Sequence, residues 1–357
     1  SKPLKNKGNA LTVARSPSWG AIEALKSRIK ARLKNSRYHF KQTCWPKIRN
    51  YQTHLSDKKH LPWLDLLYCS WRYGATPLDY YCLRFFEKTH RERQQYLTTS
   101  RIFALRQATA ETPEKTLILR DKFLFNQKFQ PYLGRDFWTW EQLLAAPALP
   151  PTLVMKARWG QGGEKIRLLS GVQDKQACLQ SIQELVSHPA DYLYESLIVQ
   201  HPALEALYAG GVNTLKVLTC LHNQAVEVWG VMLSLGTRAH IDNFMQDGIA
   251  LGVNAQGLVD PNARYLDPHE PPITHHPHTG QDFQNFRVPF FKESLALCEQ
   301  AAREIPDVRT ITWDVAIQPD GPCLIEGNHN WNAYIQIPMQ QGLAPRARAV
   351  ISLAPYD

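Results

Sequence analysis

The sequence lacks several things, and each absence narrows the field. No uninterrupted apolar run approaches the roughly 18 residues that a membrane-spanning helix needs. Ser1 to Ala10 has no apolar signal core, so a cytoplasmic setting is expected. There is no Cys-x-x-Cys pair, and the seven Cys (Cys44, Cys69, Cys82, Cys178, Cys220, Cys298 and Cys323) are scattered and odd in number. Reduced, buried thiols are therefore expected rather than a disulfide or zinc framework. His269, His275, His276 and His278 cluster, but their spacing fits no standard metal motif, and a polar turn-rich loop accounts for them. No Gly-Lys-Ser/Thr phosphate loop occurs, and no Ser-His-Asp or Cys-His pattern offers a covalent nucleophile. Acidic residues are nearly missing from residues 1–60, which hold 15 Lys or Arg and 2 Asp or Glu; their +13 exceeds the whole chain's +9. Such a segment can attract nucleic acid, anionic lipid or an acidic substrate, or can be a solvated basic face.

What is present reads as a folded chain. At 357 residues it is long enough for two or three lobes, and 44 % hydrophobic residues with 10 Trp argue against disorder. Residues 20–42 have helical spacing in Ala21, Ala24, Leu25, Ile29 and Leu33. Leu61 to Tyr73 reads as a buried helix. Thr76-Pro77 opens another, with Thr76 as N-cap and Pro77 in the first turn. The first hundred residues or so are thus mainly helical. Near residue 115 the pattern changes, with Leu117-Ile118-Leu119 short and apolar and Asp121 to Phe129 helical. Short apolar runs then alternate with helices: Thr152 to Lys156, Lys165 to Leu169, Tyr192 to Gln200, Thr214 to Leu221, Ala225 to Leu235, Thr310 to Ile317 and Pro322 to Glu326 read as strands. Lys175 to His188 and Pro289 to Glu304 read as helices, and residues 255–288 as a long ordered excursion.

Three segments carry chemistry. In the first, Thr312 to Gln318 and Pro322 to Asn328 are joined by Pro319-Asp320-Gly321, a hairpin signature. A three-residue loop would pair Gln318 with Pro322 and so Asp314 with Glu326. Cross-strand partners share a face, as does Asn328 two residues on. Two carboxylates and an amide oxygen suit a hard cation such as Mg²⁺, which would also relieve repulsion between the carboxylates. The alternative is a polar stripe facing solvent. In the second, Lys156 ends a strand before Gly160-Gln161-Gly162-Gly163. Closely spaced glycines let backbone N–H groups approach phosphate, and an ammonium would neutralise it; a flexible hairpin tip would look similar. In the third, Glu195 lies in Tyr192 to His201, where a carboxylate could bond adenine or ribose; an ordinary edge-strand Glu would look identical.

The order of these segments resembles the ATP-grasp superfamily, in particular its sugar-transfer-associated group, related to alpha-L-glutamate ligases. The resemblance spans about residues 70–335. It includes Gly74 to Tyr80, Asp121-Lys122, Gln200-His201-Pro202, Val212 to Lys216, Asp242-Asn243-Phe244, His276 to Gly280 and the hairpin from Trp313 to Asn328. It implies an α+β ATP-grasp fold, two subdomains gripping ATP, after a helical N-terminal region. The expected division is 1–110, basic and helical; 111–198, with the glycine loop; and 199–357, with the metal site. The resemblance further implies that Lys122 and Lys156 contact the nucleotide, that Gly160, Gly162 and Gly163 form a mobile phosphate loop, and that Glu195 and Ile198 line the adenine pocket. Asp314, Glu326 and Asn328 would hold Mg²⁺. Lys216 stands where the family usually has Arg and would face the γ-phosphate or an acyl-phosphate, with Asn213 or Arg238 assisting, since Lys cannot make a bidentate fork. Ala157 replaces a common Pro. His240, Asp242, Asn243, His276 and Thr279 are candidates for the acceptor side.

The implied reaction is an ATP-dependent carboxylate–amine ligation through an acyl-phosphate, with a small-molecule or peptide carboxylate and an amine as partners. One alternative is a kinase that passes the phosphoryl group to a hydroxyl. A different class, a nucleic-acid- or membrane-surface-binding protein led by residues 1–60, predicts steeply salt-dependent binding. A third possibility is that the basic segment recruits an anionic or peptide substrate to the enzyme.

Overall fold

Five helix starts follow from their capping residues. Thr76 accepts from the Asp79 N–H while the Asp79 carboxylate accepts from the Thr76 N–H, and Pro77 fills the first turn. Thr89 with Glu92 and Thr139 with Gln142 repeat this reciprocal arrangement. Thr112 caps the helix that begins at Pro113, and Asp121 caps the next one. The computed structural model describes residues 62–109, 111–160, 166–170, 174–237 and 248–351, all within one compact unit spanning His60–Asp357. The expected helix at 20–42 and the basic segment 1–60 lie outside the described residues, as do Gly162, Gly163, Arg238, His240, Asp242 and Asn243.

The helices preceding the sheets are α1 (Pro62–Tyr73), α2 (Pro77–Cys82), α3 (His90–Arg93), α4 (Thr99–Ala108), α5 (Pro113–Arg120) and α6 (Lys122–Lys128). Two of the expectations are corrected here. Helix α1 exists but is not buried: Leu64, Leu67 and Trp71 are exposed, whereas Leu66, Cys69 and Tyr73 face inward. The apolar triplet Leu117 to Leu119 is not a break in the helical region; it lies inside α5, where the Thr112 cap and Pro113 make the helical start decisive. In the same lobe, fully buried Asp79 accepts from Thr76 and Thr99 N–H groups and from the Thr99 hydroxyl.

Among the described residues two antiparallel sheets form. The smaller has the order β1-β4-β2-β3, from β1 (Phe137–Trp138), β2 (Thr152–Ala157), β3 (Arg167–Ser170) and β4 (Tyr192–Ser196). Helices α7 (Trp140–Ala145) and α8 (Lys175–Leu185) accompany it, and Leu143, Leu153, Met155, Ile182 and Tyr194 make its core. Helix α9 (Pro202–Leu207) leads to the larger sheet, of order β10-β9-β5-β6-β7-β8. Its strands are β5 (Thr214–His222), β6 (Ala225–Leu235), β7 (Ile249–Gly252), β8 (Arg264–Tyr265), β9 (Thr310–Gln318) and β10 (Gly321–Asn328). Helix α10 (Phe291–Glu304) precedes β9, while α11 (Gln336–Met339) and α12 (Ala344–Val350) end the described chain.

One face of the larger sheet presents Leu215, Val217, Trp313, Val315 and Leu324 to a core shared with Phe125, Phe129 and α10. Trp313 is wholly buried, stacks edge-on to Phe129 at 5.5 Å and donates to the Thr219 hydroxyl at 2.9 Å. Burying an aromatic of this size contributes about 2–3 kcal/mol, and here it locks the strand beside Asp314. Alternation then sends Lys216 and Asp314 to the opposite face. The excursion between β7 and α10 is ordered by short bridges such as Ala263–Ile273, and it buries Val259, Phe283 and Val288.

Candidate functional site

The carboxylates expected to face each other do so, but by a different route. The turn is tighter than a three-residue loop: Gln318 pairs with Gly321 and Leu324 with Val315. Continued without interruption, that register would put Ile325 opposite Asp314. A bulge at Ile325 shifts it by one, so that Glu326 pairs with Asp314 and Asn328 with Thr312. Strand β5 continues the row, with Lys216 directly across from Asp314. The Lys216 ammonium sits 2.5 Å from an Asp314 carboxylate oxygen. The Asn328 amide donates to Glu326 Oε1 at 3.1 Å. Lys216, Asp314 and Glu326 thus stand side by side on three neighbouring strands of a sheet whose other face is core. Further along this face Pro338 packs so tightly on Gly252 that an added Cβ would meet its carbonyl oxygen at 2.4 Å.

The smaller sheet contributes Lys156 and Glu195. Strands β2 and β4 pair Lys156 with Leu193 and Val154 with Glu195. The Lys156 ammonium reaches Glu195 Oε1 at 2.6 Å. Arg135 donates through Nε to Glu195 Oε2 at 2.8 Å and through Nη2 to Oε1 at 3.2 Å, and Asn126 donates to Oε1 at 2.6 Å. Burial alone would raise the Glu195 carboxyl; Arg135 and Lys156 outweigh it and hold the group down at about 2. Burial pulls the Lys156 ammonium below its usual range, against the attraction of Glu195 and of Glu326. Glu195 is therefore an anion surrounded by four donor contacts. In this arrangement its carboxylate orients Lys156.

The glycine loop joins β2 to β3. Of its glycines only Gly160 is described, at φ +119° with no atom within 4 Å of where a Cβ would stand. Lys122, at the start of α6, donates to the Gly160 carbonyl at 2.7 Å. Beside it the Arg158 guanidinium forks onto buried Asp121 at 2.8 and 2.6 Å and lies over the rings of Phe123 and Trp159. The base of the loop is thereby anchored.

Other candidates are placed differently. Asn213 is fully buried; its amide donates to the Leu204 and Tyr208 carbonyls at 2.9 and 2.8 Å, and its backbone N–H donates to Gln200. It fixes the turn between α9 and β5. Ile198 is half-buried in the 197–200 connection, between exposed Leu197 and Val199. His276 is buried, stacked on Tyr208 and bonded to the Gly236 carbonyl, and burial lowers its pKa, which keeps it neutral; Thr279 donates to the Leu207 carbonyl. His276 pins the excursion to the end of β6, and Thr279 pins it to α9. A cleft of about 290 Å³ lined by Phe123, Gln127, Arg135, Phe137 and Trp138 holds none of the candidates. Sequence reasoning missed Arg135 and Asn126. No local pattern marks either, because only the pairing of β1 with β4 and the docking of α6 bring them to Glu195.

The donor set of the β9–β10 hairpin fits magnesium. It consists of oxygen atoms on neighbouring strands, and the Lys216 ammonium shows that Asp314 accepts a cation. Among the described residues no group of three or more His, Cys, Asp or Glu gathers that could hold a metal ion.

Charged residues brought together from two antiparallel sheets, with a glycine hairpin on one and paired carboxylates on the other, define an ATP-grasp protein. The sequence signature of the sugar-transfer associated ATP-grasp family matches residues 145–352, more than half of the chain, and the chain belongs to that family. No curated protein matches it. Among solved structures it is similar to a biotin carboxylase–beta-gamma-ATP complex from Campylobacter jejuni (12 % identity, TM-score 0.43, 66 % of this chain and 47 % of that one). It is also similar to the biotin carboxylase domain of Hydrogenobacter thermophilus 2-oxoglutarate carboxylase with MgADP, ADP and bicarbonate (12 %, 0.42, 66 % and 46 %). A third is an L-amino acid ligase from Bacillus licheniformis (9 %, 0.36, 64 % and 48 %). The chain spans about half the length of these proteins.

Proposed function

We propose that the protein is an ATP-dependent ligase joining a carboxylate to an amine. The observation that carries this reading is the row Lys216–Asp314–Glu326, a cation beside two carboxylates on adjoining strands of a sheet closed on its other face. In the first step a substrate carboxylate oxygen attacks the γ-phosphorus of ATP, the bond to the β–γ bridging oxygen breaks, and ADP leaves with that electron pair. In the second the amine nitrogen attacks the acyl carbon, the C–O bond to phosphate breaks, and the nitrogen gives up a proton. Lys122 and Lys156 would neutralise nucleotide phosphates, and Lys216 would face the γ-phosphoryl group. Asp314, Glu326 and Asn328 would hold Mg²⁺, which when bound supplies charge neutralisation at the phosphates. Closure of the loop carrying Gly160, Gly162 and Gly163 would exclude water and protect the acyl-phosphate.

The division into 1–110, 111–198 and 199–357 belongs to this reading; the smaller sheet ends at Ser196 and the larger begins at Thr214. Residues 1–60, with their +13, would recruit an anionic or peptide substrate. A cytoplasmic setting, in which the six buried free thiols among the described residues would stay reduced, belongs to this reading; no described helix is long and apolar enough to cross a membrane.

The test is phosphate release from ATP with pooled carboxylates and amines. Release should require both pools, and Glu326→Ala should reduce it by about a hundredfold or more, the equivalent of several kcal/mol. Equal release by that variant defeats the proposal, and a phosphorylated hydroxyl without free phosphate identifies a kinase instead.

A further inference from the structure

The bulge at Ile325 decides whether the metal site exists, and one buried side chain outside the hairpin is built around it. The Arg135 side chain is 1 % exposed. Its Nη1 donates to the carbonyls of Leu324 and Leu133 at 2.6 and 3.1 Å, and its Nη2 to the carbonyl of Ile325 at 3.3 Å. With the two bonds to Glu195, all five guanidinium N–H groups have an acceptor. Leu324 and Ile325 are the residues at which the register shifts. A bulge interrupts the ladder, and an unsatisfied buried carbonyl costs about 1–3 kcal/mol. Arg135 meets that cost from outside the sheet. The approach is fixed by Gly134, at φ +58°, where a Cβ would come within 2.4 Å of Gln318 Nε2 and 3.0 Å of Cys323 Cβ, so the chain lies directly on the hairpin. The same guanidinium holds the carboxylate that orients Lys156.

We propose that Arg135 is a positioning residue: it stabilises the Ile325 bulge, sets Glu326 opposite Asp314, and ties that pair to the Lys156–Glu195 side of the cleft. The proposal rests on the reading of Asp314, Glu326 and Asn328 as magnesium ligands. Lysine, with one ammonium, cannot span two carbonyl groups and a carboxylate as the planar fork does.

The measurement is ADP affinity by calorimetry with Mg²⁺ and with EDTA, taken as the ratio of the two dissociation constants. Wild type should show a clear enhancement by Mg²⁺, and Glu326→Ala should reduce the ratio to about one. Arg135→Lys should lower it about tenfold or more, an effect of the size seen when a group that orients a metal ligand is lost. The double variant should match Glu326→Ala, because both changes remove the same carboxylate geometry. A merely structural loss weakens both affinities and leaves the ratio unchanged; that result, or a double variant with a further loss in the ratio, overturns the role of Arg135 alone. A wild-type ratio of one overturns the magnesium reading and the proposal with it. If Arg135→Lys gives no cooperative melt, deletion of Ile325 in that background removes the extra residue and closes the ladder with Glu326 still opposite Asp314. Restored melting and a restored ratio support the proposal, and their absence overturns it.

Discussion

The two sheets differ in how deeply their strands are buried. Strand β9 is buried along nearly its whole length, with Trp313 and Val315 in the core and Asp314 between them. Strand β3, at the edge of the smaller sheet, is mostly exposed, and it leads back to the glycine loop. Chemistry at a phosphoryl group needs both. On the proposed reading the carboxylates would be fixed before substrate arrives, whereas the glycine loop would open to admit it. The larger sheet sets Asp314 and Glu326 by register, and on the proposed reading the smaller one would carry the loop that closes. Between them runs the seam Lys156–Glu195–Arg135–Leu324, a buried ion pair joined to backbone hydrogen bonds.

The largest effect should come from breaking that seam. Glu195→Gln leaves Arg135 and Lys156 buried as uncompensated cations, a loss of about 3–5 kcal/mol, measurable by urea denaturation. The pH dependence has a definite sign. The Glu195 carboxyl, ordinarily near 4.5, is held at about 2, so its contribution is fully present above pH 4.5 and disappears as the pH falls towards 2. Wild type should lose stability across that window more steeply than Glu195→Gln. Equal slopes would show that the seam does not join the two halves. Hydrogen exchange would show which sheet opens first, and the smaller one is expected.

A middle-sized effect separates holding from reacting. Asn213→Ala removes the amide that donates to the Leu204 and Tyr208 carbonyls and should cost about 1–3 kcal/mol. Because that amide lies within the turn and not in the Lys216–Asp314–Glu326 row, turnover at low temperature should remain within a few-fold of wild type. A loss of turnover as large as that of Glu326→Ala, without loss of stability, would return Asn213 to the reacting end.

Asn213 also shows where the sequence was legible and where it was not. Strand alternation and turn residues are local properties, and they made the hairpins readable: β6 runs over the expected residues, and Asp314, Glu326 and Asn328 share a face. Even there the tight turn and the bulge at Ile325 went unseen, and their two one-residue errors cancelled. Burial of a polar side chain is a tertiary property. Nothing in the Val212 to Lys216 motif tells a catalytic amide from a structural one, and nothing near Gly134 announces that Arg135 will meet a glutamate sixty residues away. The apolar look of α1 misled for the same reason, since composition does not say which face finds a partner.

The smallest effect is expected at the open end of the comparison. Gly160 has a backbone conformation that side chains resist, so Gly160→Ala strains the loop by about 1 kcal/mol. Space is not the obstacle, because nothing lies within 4 Å of the new methyl group. Strain of that size should shift the melting temperature by no more than a few degrees. The strain should instead appear as a few-fold rise in KM for ATP, with kcat less affected. The corresponding insertion of a methyl group at Gly252, where it would strike the Pro338 carbonyl, should do the reverse, lowering stability with little change in KM. A loop that is merely a hairpin tip would leave KM for ATP unchanged in Gly160→Ala. The contrast between the two glycines therefore tests, with a single carbon atom each, whether the smaller sheet moves over the nucleotide while the larger one stays still.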